Sequence, residues 1–93
     1  MFISCEKVKL LMADKGAQFI DVRTPPEFMS SPLPGAVNIP LQLIGSVAET
    51  ELDKSKPVVL FCQSGARSGM AMQILHSLGF DEVYNMGSYL AWE

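Results

Sequence analysis

Four apolar residues in succession, Val58 to Phe61, follow Pro57 and run directly into Cys62. A strand that alternates apolar and polar needs cover on one face only. A strand apolar at every position needs cover on both, the condition of a central strand in a parallel sheet. Short apolar runs elsewhere in the chain alternate with helical patterns, as expected when parallel strands are joined by crossover helices. The fold class read from the sequence is therefore α/β, and in such sheets sites form outside the carboxyl ends of strands. Cys62 stands at such an end.

The other elements follow from local signals. Phe2 and Ile3 suit a short first strand. Ser4 can cap a helix over Glu6 to Ala13 that buries Val8, Leu11 and Met12 and ends near Gly16. Gln18 to Val22 reads as a strand. Thr24 and Glu27 fit a capping box with Pro25 at the first helical position, predicting a brief helix from Pro25 to Met29. Pro34 and Gly35 suit a type II turn before a short strand over Ala36 to Asn38. Leu41 to Val47 reads as a short helix and Glu49 to Lys56 as a polar connection. A helix over Ala66 to Leu78 carries Met70, Ile74 and Leu78 at four-residue spacing with Leu75 beside them, and Gly69 would let it approach the sheet closely. Glu82 to Met86 is the last strand, and Gly87 to Trp92 begins a final helical turn. There are no repeats or linkers, so residues 1–93 read as one domain.

The segment Cys62-Gln63-Ser64-Gly65-Ala66-Arg67-Ser68 links the central strand to a helix. The first N–H groups of a helix have no intrahelical partner, and together with the helix dipole they favour an anion in front of them. The amides of Ser64 through Ser68 are predicted to converge on Cys62, and a thiolate is such an anion. Gly65 fits a chain that doubles back around a sulfur, because that path calls for positive φ. The plain alternative is a buried strand cysteine, a common fate of free thiols. Lowering the thiol pKa has limited value in itself. A drop of about two units raises the thiolate fraction at pH 7 roughly 25-fold, and the accompanying fall in nucleophilicity takes back roughly 8-fold. The larger effect of such a loop is to hold a charged sulfur or its adduct in fixed geometry.

Composition narrows the chemistry. Hydrophobic residues make up 48% of the 93, enough for a compact core, and the formal net charge is −3. With no basic stripe, nucleic acid is not the expected partner. A small anionic substrate remains compatible, because remote charges are screened over about 8 Å while loop amides act at contact. One histidine and two cysteines far apart, Cys5 and Cys62, make no metal-ligand pattern. No apolar run approaches the ~18 residues of a membrane span. The N-terminal sequence lacks the basic start and apolar run of a secretion signal, so a cytoplasmic location is expected, or a periplasmic one if a leader has been removed.

Four ordered segments, IDVRTPPEF (Ile20 to Phe28), PGAVNIP (Pro34 to Pro40), CQSGARS (Cys62 to Ser68) and LGFDEVYNMGSYLAW (Leu78 to Trp92), make the chain similar to the rhodanese (thiosulfate sulfurtransferase) family, in particular its small single-domain, phage-shock-like members. The resemblance implies a five-stranded parallel sheet flanked by helices. It also implies that Cys62 takes a sulfane sulfur from a small anionic donor such as thiosulfate and, as a persulfide, passes it to cyanide or to a thiol, a protein thiol included. No cofactor or metal is implied. Gln63, Ser64, Gly65, Ala66 and Arg67 would bind the substrate and cradle the persulfide. Four residues separate Cys62 from Arg67, one fewer than in related phosphatases and arsenate reductases, which suits a single sulfur better than a tetrahedral oxyanion. A carrier or interaction module that forms the persulfide without turnover is the other reading. Where the family often has Gly-His-Ile, this chain has Ser31, Pro32 and Leu33.

Asp21, Arg23 and Ser68 are read as supporting the site. Arg23 can bind a sulfonate, but fork geometry favours an ion pair with Glu27. Asp21 next to a thiolate would raise its pKa, so it is better placed accepting loop hydrogen bonds or pairing with an arginine. Arg67 either touches the anion or turns away as a structural partner. Cys5 is read as a bystander, His76 as a surface residue near a helix end, the methionines as core filler, and Tyr89 and Trp92 as cover for the sheet edge or a wall of the pocket.

Overall fold

The computed structural model describes residues 1–93. Its elements in chain order are α1 (Cys5–Lys15), β1 (Gln18–Asp21), α2 (Pro25–Ser30), β2 (Val37–Asn38), α3 (Leu41–Glu51), β3 (Val58–Cys62), α4 (Ala66–Ser77), β4 (Val83–Ser88) and a single 3₁₀ turn at Tyr89–Ala91. The four strands form one parallel sheet in the order β2-β1-β3-β4. The expected fifth strand is absent. Phe2 and Ile3 do run beside β4, but only the Ile3 N–H pairs, donating to the Asn85 carbonyl at 2.9 Å. One bond does not make a ladder.

Every residue of β3 is buried, as its unbroken apolar run requires. Val58, Leu60 and Cys62 face the larger core cluster with Ile44 and Ala48 of α3 and Ala71 and Leu75 of α4. Val59 and Phe61 face the smaller cluster with Val8 and Leu11 of α1, Phe19 and Met86. The period-two alternation of a strand thus sends Cys62 to the α4 side of the sheet.

Local signals set most boundaries. Ser4 caps α1 and Gly16 closes it in the left-handed conformation. Thr24 and Glu27 form the full reciprocal capping box of α2, with proline opening the helix. Pro34 and Gly35 occupy the turn closed by the Ala36 N–H on the Leu33 carbonyl at 3.2 Å. Three readings need correction. The helix expected over Leu41 to Val47 continues through Glu51, because Ala48 is fully buried and extends the apolar row begun at Ile44. In α4 the buried face is Ser68, Ala71 and Leu75, while Met70 lies exposed. Gly69 is not required for close approach either, since a Cβ there would meet Asn85 at an ordinary 3.7 Å.

The register between β3 and β4 slips by one residue at Leu60/Phe61: Leu60 faces Asn85, but Phe61 faces Gly87. Bulges re-aim side chains beside sites. Asn85 lies before the slip, paired with Leu60 and so on the same side of the sheet as Cys62, and the slip places Ser88 rather than Gly87 opposite Cys62.

Candidate active site

β3 delivers Cys62 to its carboxyl end, and the chain turns at once through Gln63, Ser64 and Gly65 into α4. Gly65 has φ +100° and its N–H donates to Cys62 Sγ at 3.0 Å. A side chain at this position would be strained by the backbone angle and would collide with the Phe2 ring, with the Gly87 Cα at 3.2 Å. Ser68, one turn into α4, places its hydroxyl 3.4 Å from the sulfur. Burial by itself pushes the Cys62 thiol up. The Ser68 hydroxyl and the backbone N–H groups of Ser68, Gly65 and Ser64 more than offset it, and the thiol titrates below its ordinary value.

The loop is more selective than expected. Ala66 N–H turns to Ser64 Oγ at 3.5 Å rather than to the sulfur, and the direct amide bond is that of Gly65. Cys62 has no exposed surface, so the sulfur is not presented at an open rim; contact with a reagent requires local movement of what covers it. Gln63 and Ser64 are exposed.

Ser68 has one hydrogen and two acceptors. It donates to Asn85 Oδ1 at 2.7 Å, and the Gly87 N–H reaches the same oxygen at 2.8 Å. When the hydroxyl turns toward a charged sulfur, Asn85 therefore keeps a partner. Asn85 Nδ2 also donates to the Gly65 carbonyl at 3.2 Å, tying β4 to the loop. Asn85 is buried and was not among the residues singled out from sequence. Its only signal there is a polar residue between Tyr84 and Met86 in the last strand.

Asp21 and Arg23 are both buried and pair with each other. Arg23 Nε lies 3.0 Å from each Asp21 carboxylate oxygen, Nη2 is 2.8 Å from Oδ2, and the Arg23 N–H donates to Oδ1 at 2.9 Å. Arg23 Nη2 also donates to the Ser31 carbonyl, and its guanidinium lies 4.4 Å from the Tyr89 ring centroid. The expected Arg23–Glu27 pair does not form. Residues two apart at a strand end share a side, so Asp21 reaches Arg23 first. Glu27 instead takes Arg67 in a two-pronged fork, Nη1 to Oε1 at 2.8 Å and Nη2 to Oε2 at 3.0 Å. Of the two roles weighed for Arg67, this ion pair is the one the structure displays.

Beside the loop lies a cleft of about 310 Å³ lined by Arg23, Pro26, Glu27, Ser31, Gln63 and Tyr89 among others. Tyr89 thus walls the cleft, while Trp92 stacks 5.2 Å from Phe19 and covers the sheet. Cys5 is buried, accepting from the Glu93 N–H at 3.4 Å. No group of acidic, histidine and cysteine side chains is arranged to hold a metal ion. No helix is long and apolar enough to cross a membrane.

Comparison with known proteins matches this architecture. The human single-domain sulfurtransferase TSTD1 superposes with a TM-score of 0.80 at 30% identity, over 98% of this chain and 93% of that one. Thiosulfate sulfurtransferase PspE of Escherichia coli is 37% identical over 70 residues, 74% of this chain and 67% of that protein. The uncharacterized protein YqhL of Bacillus subtilis is 44% identical over 77 residues, 82% of this chain, and this chain spans only 60% of its length. The model of the rhodanese-like domain matches residues 4–93. With a match of that extent on an α/β parallel sheet whose central strand ends in a loop-held cysteine, the chain belongs to the rhodanese-like domain family.

Proposed function

We propose that this protein is a sulfurtransferase that moves a sulfane sulfur from thiosulfate or a similar donor to cyanide or a thiol through a persulfide on Cys62. The observation that carries the reading is the Gly65 N–H on Cys62 Sγ at 3.0 Å, with the Ser68 hydroxyl at 3.4 Å on the same sulfur. These donors favour the thiolate, which is the nucleophile. In the first half-reaction the thiolate attacks the outer sulfur of thiosulfate. A new S–S bond forms, the donor's S–S bond breaks, and sulfite leaves with the electron pair. In the second, the acceptor attacks the terminal sulfur of the persulfide and Cys62 departs as thiolate, ready for another cycle. This is covalent ping-pong catalysis.

The loop's part is electrostatic: fixed N–H groups hold negative charge on the attacking sulfur and then on the persulfide, without reorganising between the steps. A six-residue span from Cys62 to Arg67 supports sulfur over a phosphate-sized group. The test is thiocyanate production from thiosulfate and cyanide by the purified protein and by Cys62→Ala. We expect sustained turnover by the wild type and loss to background in the variant. A stable sulfur adduct with no turnover would instead make the protein a carrier, and full activity in Cys62→Ala would remove Cys62 from the reaction.

A further inference from the structure

Glu27 enters the sequence reading as a helix cap and as the expected partner of Arg23, and it stands in the cleft wall beside the loop. Its carboxylate is held by the Thr24 N–H at 3.0 Å and the Thr24 hydroxyl at 2.9 Å, both on Oε1, and by both Nη atoms of Arg67. The capping box anchors it to the first turn of α2, which two prolines stiffen, so it is not a swinging surface acid. The guanidinium and backbone bonds hold its carboxyl down at about 2, and it is charged throughout the neutral range. Arg67 lies close enough to Cys62 for a negative sulfur there to favour its charge. It is the cation nearest in sequence to the loop sulfur, and Glu27 neutralises it. The other arginine, Arg23, is neutralised by Asp21.

We propose that Glu27 sets the charge selectivity for the sulfur donor: by occupying both Nη atoms of Arg67 it leaves the mouth of the site without an unpaired cation, favouring singly charged donors over doubly charged ones. This rests on the sulfur-transfer reading above. Thiosulfate brings two negative charges into the cleft and releases sulfite, also doubly charged. Methanethiosulfonate differs by a methyl group in place of an oxygen and brings one. Attack by the Cys62 thiolate on its outer sulfur forms the same persulfide, breaks the same kind of S–S bond and releases methanesulfinate. The two donors are therefore matched in size and reaction and differ chiefly in charge.

The experiment compares kcat/KM for the two donors in wild type and Glu27→Gln. Glutamine keeps the capping box, which accepts Glu or Gln, removes the charge, and sets a donor NH2 in place of the oxygen that accepted from Arg67 Nη2, opening the fork. Coulomb's law in a water-like medium at about 7 Å gives roughly threefold per donor charge, so we expect a gain of about sevenfold for thiosulfate against about threefold for methanethiosulfonate, carried mainly by KM. Equal changes for the two donors, or a loss with thiosulfate, overturn the proposal while leaving sulfur transfer intact. If wild type takes sulfur from neither donor, the sulfur-transfer reading fails and the proposal with it. Should Glu27→Gln fail to fold, Arg67→Gln decides: it leaves the Glu27 charge unpaired in the cleft wall, so kcat/KM is expected to fall more for thiosulfate than for methanethiosulfonate, and equal changes overturn the proposal.

Discussion

At the scale of single residues, the account turns on how one buried sulfur becomes more acidic than an ordinary thiol. Burial opposes the charge, and hydrogen bonds from Ser68 and Gly65 reverse the outcome. Ser68→Ala removes the side-chain donor and leaves the amides. We expect the pH profile of Cys62 alkylation to have its midpoint below that of an ordinary thiol in the wild type and to move upward in the variant, because the thiolate loses a partner that the thiol needs less. A midpoint that does not move would mean that the hydroxyl serves Asn85 alone. Cys62, Gly65 and Ser68 were legible in the sequence because they lie within seven consecutive residues at a strand-to-helix junction, where geometry follows from local rules. Asn85 was not. Its place beside Ser68 depends on the register that pairs it with Leu60 and on the packing of α4 over β4, properties of elements packed together rather than of any one.

At the scale of elements, the α2 region shows what local pattern does and does not fix. The capping box, the opening proline and the turn at Pro34 and Gly35 all follow from spacing, and they stand where expected. The ion pairs around them do not, because Arg23 and Arg67 each had several carboxylates in reach by sequence. The structure pairs Arg23 with Asp21 and Arg67 with Glu27, joining the end of β1 to itself and α2 to α4. The missing fifth strand and the long α3 have a similar origin. Phe2 and Ile3 are apolar enough for a strand but find only one backbone partner, and α3 extends because Ala48 meets the core. The Asp21–Arg23 pair is fully enclosed, so removing one charge strands the other. We expect Asp21→Asn to lower unfolding free energy in urea by about 3 kcal/mol. A change below about 1 kcal/mol would show that the pair is not the support at the end of β1.

At the scale of the whole molecule, the site is an assembly: β3 supplies the sulfur, α4 the loop donors, β4 the buried amide that ties them, and α2 the carboxylate that neutralises Arg67. The N-terminal segment adds a lid-like contact, since a Cβ at Gly87 would come within 2.6 Å of the Phe2 ring, so the ring packs directly on backbone. The alternation of apolar runs made this layered architecture readable at once. That the sulfur would be completely covered was not readable, because coverage is the sum of contacts from segments far apart in the chain. The central claim is that Cys62 is where sulfur attaches, and intact mass after treatment with thiosulfate and removal of the donor tests it most directly. The expected result is a gain of one sulfur atom per chain in the wild type and none in Cys62→Ala; an equal gain in the variant, or a sulfur that maps to Cys5, would contradict the account.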